Sequence, residues 1–345
     1  MNKEINDFHI NNILKEMSDK DYQGYLLADF SNIKYISNYM PTSFAFCVLK
    51  ENPVIYASKM DMEIANKTST IEVKEFESFS EMIGEIKGEI KNLAIEPSLE
   101  FSTYEKFRDD FKISSEMFIN KQRAIKTSEE IAKIDKATGI AQKAFVDLDI
   151  LSLRESKSFE NTSAYELGKL MREYDGECES FDTILVSGSA TSLPHAVPQP
   201  KSIEDIILVD WGAKYDGYCS DNTRTMVYSE KQQEIFDIVK ESHDKAIKAI
   251  KPGIKCCEVD KVSRDIISEY GYGDKYIHST GHSLGLDIHE TPSFSAKDET
   301  IIEKGMVITV EPGIYLEGDF GVRLEDTVAI DNKARILGNL PAIIE

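Results

Sequence analysis

Four carboxylates sit at or near the ends of otherwise apolar strands in the second half of the chain, and any fold has to reconcile them with burial. Ile206-Ile207-Leu208-Val209-Asp210-Trp211-Gly212 reads as a buried strand ending in an acid. After a turn around Tyr215-Asp216-Gly217 the chain returns through Tyr218-Cys219-Ser220-Asp221. Asp210 and Asp221 are equidistant from the middle of that turn, so a hairpin brings them opposite or nearly so. Met306-Val307-Ile308-Thr309-Val310-Glu311, closed by Pro312-Gly313, and Gly321-Val322-Arg323-Leu324-Glu325-Asp326-Thr327-Val328 repeat the arrangement with Glu311 and Glu325. Alternation along the last strand puts Arg323, Glu325 and Thr327 on one face and Val322, Leu324, Asp326 and Val328 on the other. Carboxylates brought together on paired strands repel, unless one is protonated or a cation lies between them.

Histidines fall between the two acidic pairs. His278-Ser279-Thr280-Gly281-His282 and His289-Glu290-Thr291-Pro292, with His195 further upstream, lie beside Gly or Pro and suit loops at strand ends. One at a time these residues have ordinary explanations: an Asp ends a strand, a loop His finds a hydrogen bond, Arg323 pairs with Glu325 at a surface. His243, inside a helix, and Cys256-Cys257 read as structural. The ordered set of two Asp, one His and two Glu on apolar strands is harder to ascribe to packing. Two divalent ions bring a charge of +4, which matches four ionised carboxylates and makes such a cluster tolerable in an interior. Oxygen-rich ligation with one imidazole suits Mn²⁺, Co²⁺ or Zn²⁺ better than a thiolate-seeking ion. Two such ions can share a water, lower its pKa and polarise a carbonyl. The residues alone therefore point to a dinuclear metallohydrolase.

The 345 residues suggest two domains, each large enough for a core. Residues 1–122 alternate short strands (Tyr25-Leu26-Leu27-Ala28, Ala45-Phe46-Cys47-Val48-Leu49, Val54-Ile55-Tyr56, Leu93-Ala94-Ile95) with a helical spacing over 80–90, the pattern of an α/β domain. Neither GxGxxG nor GxxxxGK occurs in it. Residues 123–345 open with a linker helix, signalled by the capping box Thr127-Ser128-Glu129-Glu130. A second box, Ser229 with Gln232, starts a helix that runs to the stop at Pro252-Gly253. A net charge of −21 argues against nucleic acid as a partner. The longest apolar run, Phe44 to Leu49, is far short of the roughly 20 residues that cross a bilayer. No signal peptide is apparent, and the five cysteines show no disulfide or zinc spacing, so the expected setting is cytoplasmic with no membrane partner.

The chain resembles the Xaa-Pro peptidases of the pita-bread metallopeptidase family, which includes prolidases, aminopeptidase P and methionine aminopeptidase. The resemblance is carried by Pro194-His195-Ala196, Val209-Asp210-Trp211-Gly212-Ala213 with Ser220-Asp221-Asn222-Thr223-Arg224-Thr225, His278-Ser279-Thr280-Gly281-His282, Val310-Glu311-Pro312-Gly313-Ile314-Tyr315, and Gly321 to Asp326. Ser31 to Ser37 and Arg123 to Thr127 are similar to the amino-terminal domain and linker of the two-domain members. The implied fold is a creatinase-like α/β domain followed by an α+β pita-bread catalytic domain with an internal pseudo-twofold. By the resemblance, Asp210 chelates one metal, His282 and Glu311 the other, and Asp221 and Glu325 bridge both. Glu311 carries the proton from the attacking water to the leaving nitrogen. His195, His278 and His289 contact substrate and steady the oxyanion, and Arg323 orients the bridging glutamate.

The resemblance further implies proline-containing peptides as substrates and a homodimer. Two departures stand out. Ser283 follows His282 where many relatives have Gly, and Ser293 stands where some dipeptidase relatives place an arginine. The second favours aminopeptidase action slightly over a strict dipeptidase, which needs a cation for the substrate's terminal carboxylate. A methionine aminopeptidase fits less well, since those relatives usually lack a preceding α/β domain. A non-catalytic binding paralogue fits poorly, because such chains typically lose metal ligands.

Overall fold

The structure, a computed structural model, describes residues 3–344 and divides into two compact units, Met1–Arg123 and Ala124–Glu345. The first is built on six strands: β1 (Gly24–Leu27), β2 (Ala45–Leu49), β3 (Val54–Ala57), β4 (Glu72–Glu75), β5 (Asn92–Ile95) and β6 (Lys112–Ser115). They form one mixed sheet in the order β4-β3-β2-β1-β5-β6. The four central strands are the apolar stretches expected from sequence. Both edge strands, Glu-Val-Lys-Glu and Lys-Ile-Ser-Ser, lack that signal, because an edge exposes its outer side and tolerates charge. The helix expected over 80–90 is shorter, Phe79–Ile86, capped at its start by the Ser78 hydroxyl, which accepts from the Glu81 amide.

The second unit contains both expected capping boxes. Thr127 and Glu130 open the Ser128–Leu148 helix, and Ser229 and Gln232 open the Glu230–Ala249 helix. Another helix, Cys256–Glu269, follows the latter. Its strands are β7 (Ile184–Ser187), β8 (Ile207–Trp211), β9 (Lys214–Tyr215), β10 (Tyr218–Cys219), β11 (Asn222–Met226), β12 (Gly281–Ser283), β13 (Glu290–Phe294), β14 (Val307–Val310), β15 (Gly313–Leu316), β16 (Phe320–Arg323), β17 (Asp326–Ile330) and β18 (Ala334–Ile336). They form sheets ordered β11-β8-β7 and β13-β12-β14-β17-β18, with ribbons β9-β10 and β15-β16. Trp211 fastens β8 to the Ser128–Leu148 helix. Its indole stacks on Phe145 at 4.2 Å between centroids, and its N–H donates to the Ala141 carbonyl at 2.8 Å. Burying such a ring removes about 150–250 Å², worth at most roughly 4–6 kcal/mol of transfer free energy. No helix among the described residues is long and apolar enough to cross a membrane.

Two interrupted hairpins position the site. In the first, Asp216 and Gly217 have φ of 47° and 80°, as a two-residue turn between β9 and β10 requires. One register then runs from Tyr215↔Tyr218 to Asp210↔Thr223. Because the turn is centred on Asp216-Gly217, later than the sequence spacing suggested, Asp210 faces Thr223 and Asp221 is its diagonal neighbour. In the second hairpin, Val310↔Asp326 and Gly313↔Arg323 share one register, which sets Glu311 opposite Glu325. A bridge between Thr223 and Glu325 joins the hairpins, with the Glu325 amide 3.1 Å from the Thr223 carbonyl.

Candidate metal centre and active site

The ladder lapses at Asp221 in the first hairpin and at Glu311 and Glu325 in the second, while Asp210 stays paired with Thr223, and all four acidic side chains line one cavity. Close backbone approach there demands glycine. A Cβ on Gly212 would lie 1.9 Å from the Ser220 carbonyl oxygen, and one on Gly281 would lie 1.9 Å from that of Thr309. The cavity has a volume of about 500 Å³. All nine residues singled out in the sequence line it: Asp210, Asp221, His282, Glu311, Glu325, Arg323, His195, His278 and His289.

Asp221, His282 and Glu325 each offer a donor atom within 4.8 Å of the others. His282 Nε2 is 3.5 Å from Asp221 Oδ2 and 3.6 Å from Glu311 Oε1, while its Nδ1 faces the Ser283 carbonyl at 3.2 Å. Since Nδ1 donates to that carbonyl, the Nε2 lone pair points at the carboxylates. Asp210 Oδ1, Asp221 Oδ1 and Glu325 Oε1 are buried and have no hydrogen-bond partner among the described residues. Their sister oxygens on Asp210 and Glu325 are held: Asp210 Oδ2 accepts from Arg323 at 2.6 Å, and Glu325 Oε2 accepts from the Thr223 hydroxyl at 2.7 Å. Orphaned carboxylate oxygens converging on an imidazole lone pair are a donor set that fits hard or borderline divalent cations.

Electrostatics agree with that fit. Burial, and then the charges of its acidic neighbours, pushes the Glu325 carboxyl well above the ordinary range, and Asp221 follows for the same reasons. Asp210 is also raised by burial, against the pull of Arg323. Burial opposes the Arg323 charge, yet Tyr315, Asp210 and the two glutamates carry it well above its usual value. The cluster is thus costly as a set of bare anions, and cations relieve it.

Two residues without an assigned role in the sequence reading complete the network. Thr223 accepts from the Arg323 Nε–H at 3.1 Å, and its own hydroxyl donates to Glu325 Oε2 at 2.7 Å. Tyr315, whose hydroxyl burial pushes up to about 12, accepts from Arg323 Nη1 at 2.9 Å. The same hydroxyl lies 2.9 Å from His278 Nε2, and His278 Nδ1 faces the Ser279 carbonyl at 2.8 Å. Burial lowers the His278 pKa, so the ring is neutral, Nδ1 carries the hydrogen and Nε2 accepts from Tyr315. Both ring nitrogens are therefore engaged. Tyr315 and Thr223 stand inside recognised motifs, but a lone hydroxyl on an apolar strand gives no signal of its own. His195 and His289 are exposed at the cavity mouth, with the His289 ring 4.4 Å from that of His282. On the opposite face, Asp326 pairs with Arg224 at 2.7 Å and lies 3.2 Å from His243, as strand alternation requires.

Comparison with known proteins agrees with the fold. A profile described as metallopeptidase family M24 matches residues 132–332, and one described as the creatinase/prolidase N-terminal domain matches residues 9–131. A Xaa-Pro dipeptidase of Pyrococcus furiosus is 40% identical over 337 residues, covering 94% of this chain and 96% of that one. The prolidase structure from Pyrococcus horikoshii superposes with a TM-score of 0.90 at 36% identity, over 97% and 99% of the two chains. That of an X-Pro aminopeptidase from Thermotoga maritima gives 0.84 at 30%, over 94% and 98%. The chain belongs to metallopeptidase family M24, with a creatinase-type amino-terminal domain before the pita-bread catalytic domain. It is a metallo-exopeptidase, an enzyme class that works with divalent metal.

Proposed function

We propose that this enzyme hydrolyses the Xaa-Pro bond, with dipeptides as its first substrates. The carrying observation is the set of buried, unpartnered oxygens on Asp210, Asp221 and Glu325 around His282, opening into a cavity that suits a small peptide. In this reading Asp210, Asp221, His282, Glu311 and Glu325 hold two divalent ions, Mn²⁺ or Co²⁺ ahead of Zn²⁺. When bound, the ions lower the pKa of a water and polarise the scissile carbonyl. Glu311, which has no anchoring side-chain donor comparable to those of Asp210 and Glu325, takes the water's proton and returns it to the leaving nitrogen. The prolyl nitrogen must gain that proton as the C–N bond breaks, so that it leaves as a neutral secondary amine. Arg323 fixes which oxygen of Asp210 faces the ions. His195 and His289 reach the substrate from the mouth, where Pro194, Val197, Pro198 and Ile288 offer an apolar wall to the proline ring.

Aminopeptidase action on longer peptides is the second reading, and Ser293 favours it. This residue pairs with His282 across β12 and β13, and its amide donates to Asp298, so it brings no cation to a substrate carboxylate. The reading also includes a homodimer, from the family resemblance, and a cytoplasmic setting, supported by five unpaired cysteines. A paired assay decides the substrate: Met-Pro against the same pair extended by several residues, with Mn²⁺-loaded enzyme. Cleavage of the dipeptide alone supports the proposal. Cleavage only of the longer peptide replaces it with the aminopeptidase, and cleavage of neither refutes Xaa-Pro specificity.

A further inference from the structure

The segment Tyr276–Thr280 carries His278 into the cavity and belongs to no strand; strand backbone ties only its end, where the Thr280 amide donates to the Phe294 carbonyl at 2.7 Å, and leaves Tyr276 to Ser279 to be held by other contacts. Its anchor is the Cys256–Glu269 helix, none of whose residues lines the cavity. Arg264 Nη1 donates to the Tyr276 carbonyl at 3.0 Å and Nη2 to the His278 carbonyl at 2.9 Å, while the guanidinium lies 4.4 Å over the Tyr276 ring. Asp260, one turn earlier and 1% exposed, receives the Arg264 Nε–H at 3.1 Å and an Nη2–H at 2.8 Å. Its Oδ1 also accepts from the Thr280 hydroxyl at 2.9 Å and the Thr280 amide at 3.3 Å. The Thr280 carbonyl in turn accepts from the Glu311 amide at 2.8 Å.

We propose that Arg264, braced by Asp260, is a positioning residue of the active site, acting through the backbone of residues 276–280 to hold the His278 imidazole against Tyr315. The proposal rests on the reading of the cavity as the catalytic site. The consequence runs along a single line of contacts: His278 Nε2 to the Tyr315 hydroxyl, Tyr315 to Arg323, and Arg323 to Asp210. A shifted His278 leaves Tyr315 free to rotate and removes one constraint on the arginine that orients Asp210. The task requires an arginine. Two carbonyls and a carboxylate are served at once by one planar fork of donors, which a lysine ammonium cannot reproduce.

The test compares metal-loaded wild type, Arg264→Ala, Arg264→Lys, His278→Ala and the double variant Arg264→Ala/His278→Ala on Met-Pro. Misplacement by about an ångström predicts a kcat loss of roughly 10- to 100-fold in Arg264→Ala, with an intermediate loss in Arg264→Lys. Metal content is expected to stay at the wild-type level. The double variant is expected to be no slower than His278→Ala alone, because Arg264 acts through that ring. A side-chain ¹H–¹⁵N spectrum of the metal-free protein, with the His278 signals assigned by His278→Ala, is expected to show the Nδ1–H tautomer in wild type and its loss in Arg264→Ala. Wild-type kcat in Arg264→Ala, or a loss that multiplies with that of His278→Ala, overturns the proposal. Should Arg264→Ala not fold, Arg264→Lys carries the same comparison. If wild type cleaves no Xaa-Pro peptide, the substrate reading fails by itself. The imidazole spectrum then decides the clamp: unchanged His278 signals overturn it, and altered ones sustain it.

Discussion

Asp221→Asn should stabilise the metal-free protein and shrink the stabilisation that metal gives it. In the metal-free protein the Asp221 carboxyl is raised by burial and by its acidic neighbours, so the folded state binds more protons than the unfolded one. Stability therefore falls as pH rises above the ordinary carboxylate range towards the raised value. Donor atoms of Asp221 and Glu325 lie within 4.8 Å, and at an effective dielectric of about 20 two unit charges at that distance repel by about 3–4 kcal/mol. Protonation relieves part of this, leaving roughly 1–3 kcal/mol for the neutral amide to recover near pH 8. At about 2–4 °C per kcal/mol, the melting temperature of metal-free Asp221→Asn should rise by roughly 2–12 °C. Wild type should gain about 2.7 kcal/mol from Mn²⁺ at 100 times its Kd, or roughly 5–11 °C, and the variant less than half of that. Scanning calorimetry with chelator and with Mn²⁺, at pH 6 and pH 8, reads all four quantities. A metal-free variant that melts several degrees below wild type and keeps the full Mn²⁺ shift would falsify the assignment of Asp221 to the metal centre.

Glu311→Gln should lower kcat on Met-Pro by about 10²- to 10⁴-fold, the usual worth of a general acid–base group, and an unchanged kcat would remove Glu311 from proton transfer. Gly212→Ala places its Cβ against the Ser220 carbonyl, so denaturant unfolding should show a loss of about 1–3 kcal/mol; wild-type stability would mean that the hairpin does not need this close approach. In the amino-terminal unit, burial favours the neutral form of Asp61, but bonds from the Thr42 hydroxyl, the Tyr39 hydroxyl and nearby amides bring its pKa down to about 2. Its stabilisation is thus complete above the ordinary carboxylate pKa and fades as pH falls from about 4 towards 2. Asp61→Asn should cost roughly 1–3 kcal/mol at pH 7, a difference that shrinks over that acidic window in urea unfolding curves.

Much of the site was legible because its chemistry is discordant with its surroundings. Asp210, Glu311 and Glu325 stand out in apolar strands, where an unpaired charge is too costly to be incidental. The apolar strands β1, β2, β3 and β5 and the two capping boxes were legible for a related reason: burial of alternating or continuous apolar residues, and the free amides of a helix start, are local requirements written in neighbouring residues. The edge strands Glu72–Glu75 and Lys112–Ser115 were not, since a strand that borrows its order from a neighbour needs no apolar pattern.

What the sequence by itself determined is therefore the family and the two carboxylate-bearing hairpins, each a matter of residue type and short spacing. Only the tertiary structure decided how those parts meet. The Asp216-Gly217 turn set the register that faces Asp210 with Thr223, and the bridge from Thr223 to Glu325 brought the two hairpins together. It also recruited Tyr315 and Arg264, through a hydroxyl and a guanidinium whose partners lie elsewhere in the chain. Their roles are set by three-dimensional hydrogen-bond geometry, for which residue identity and spacing along the chain carry no code.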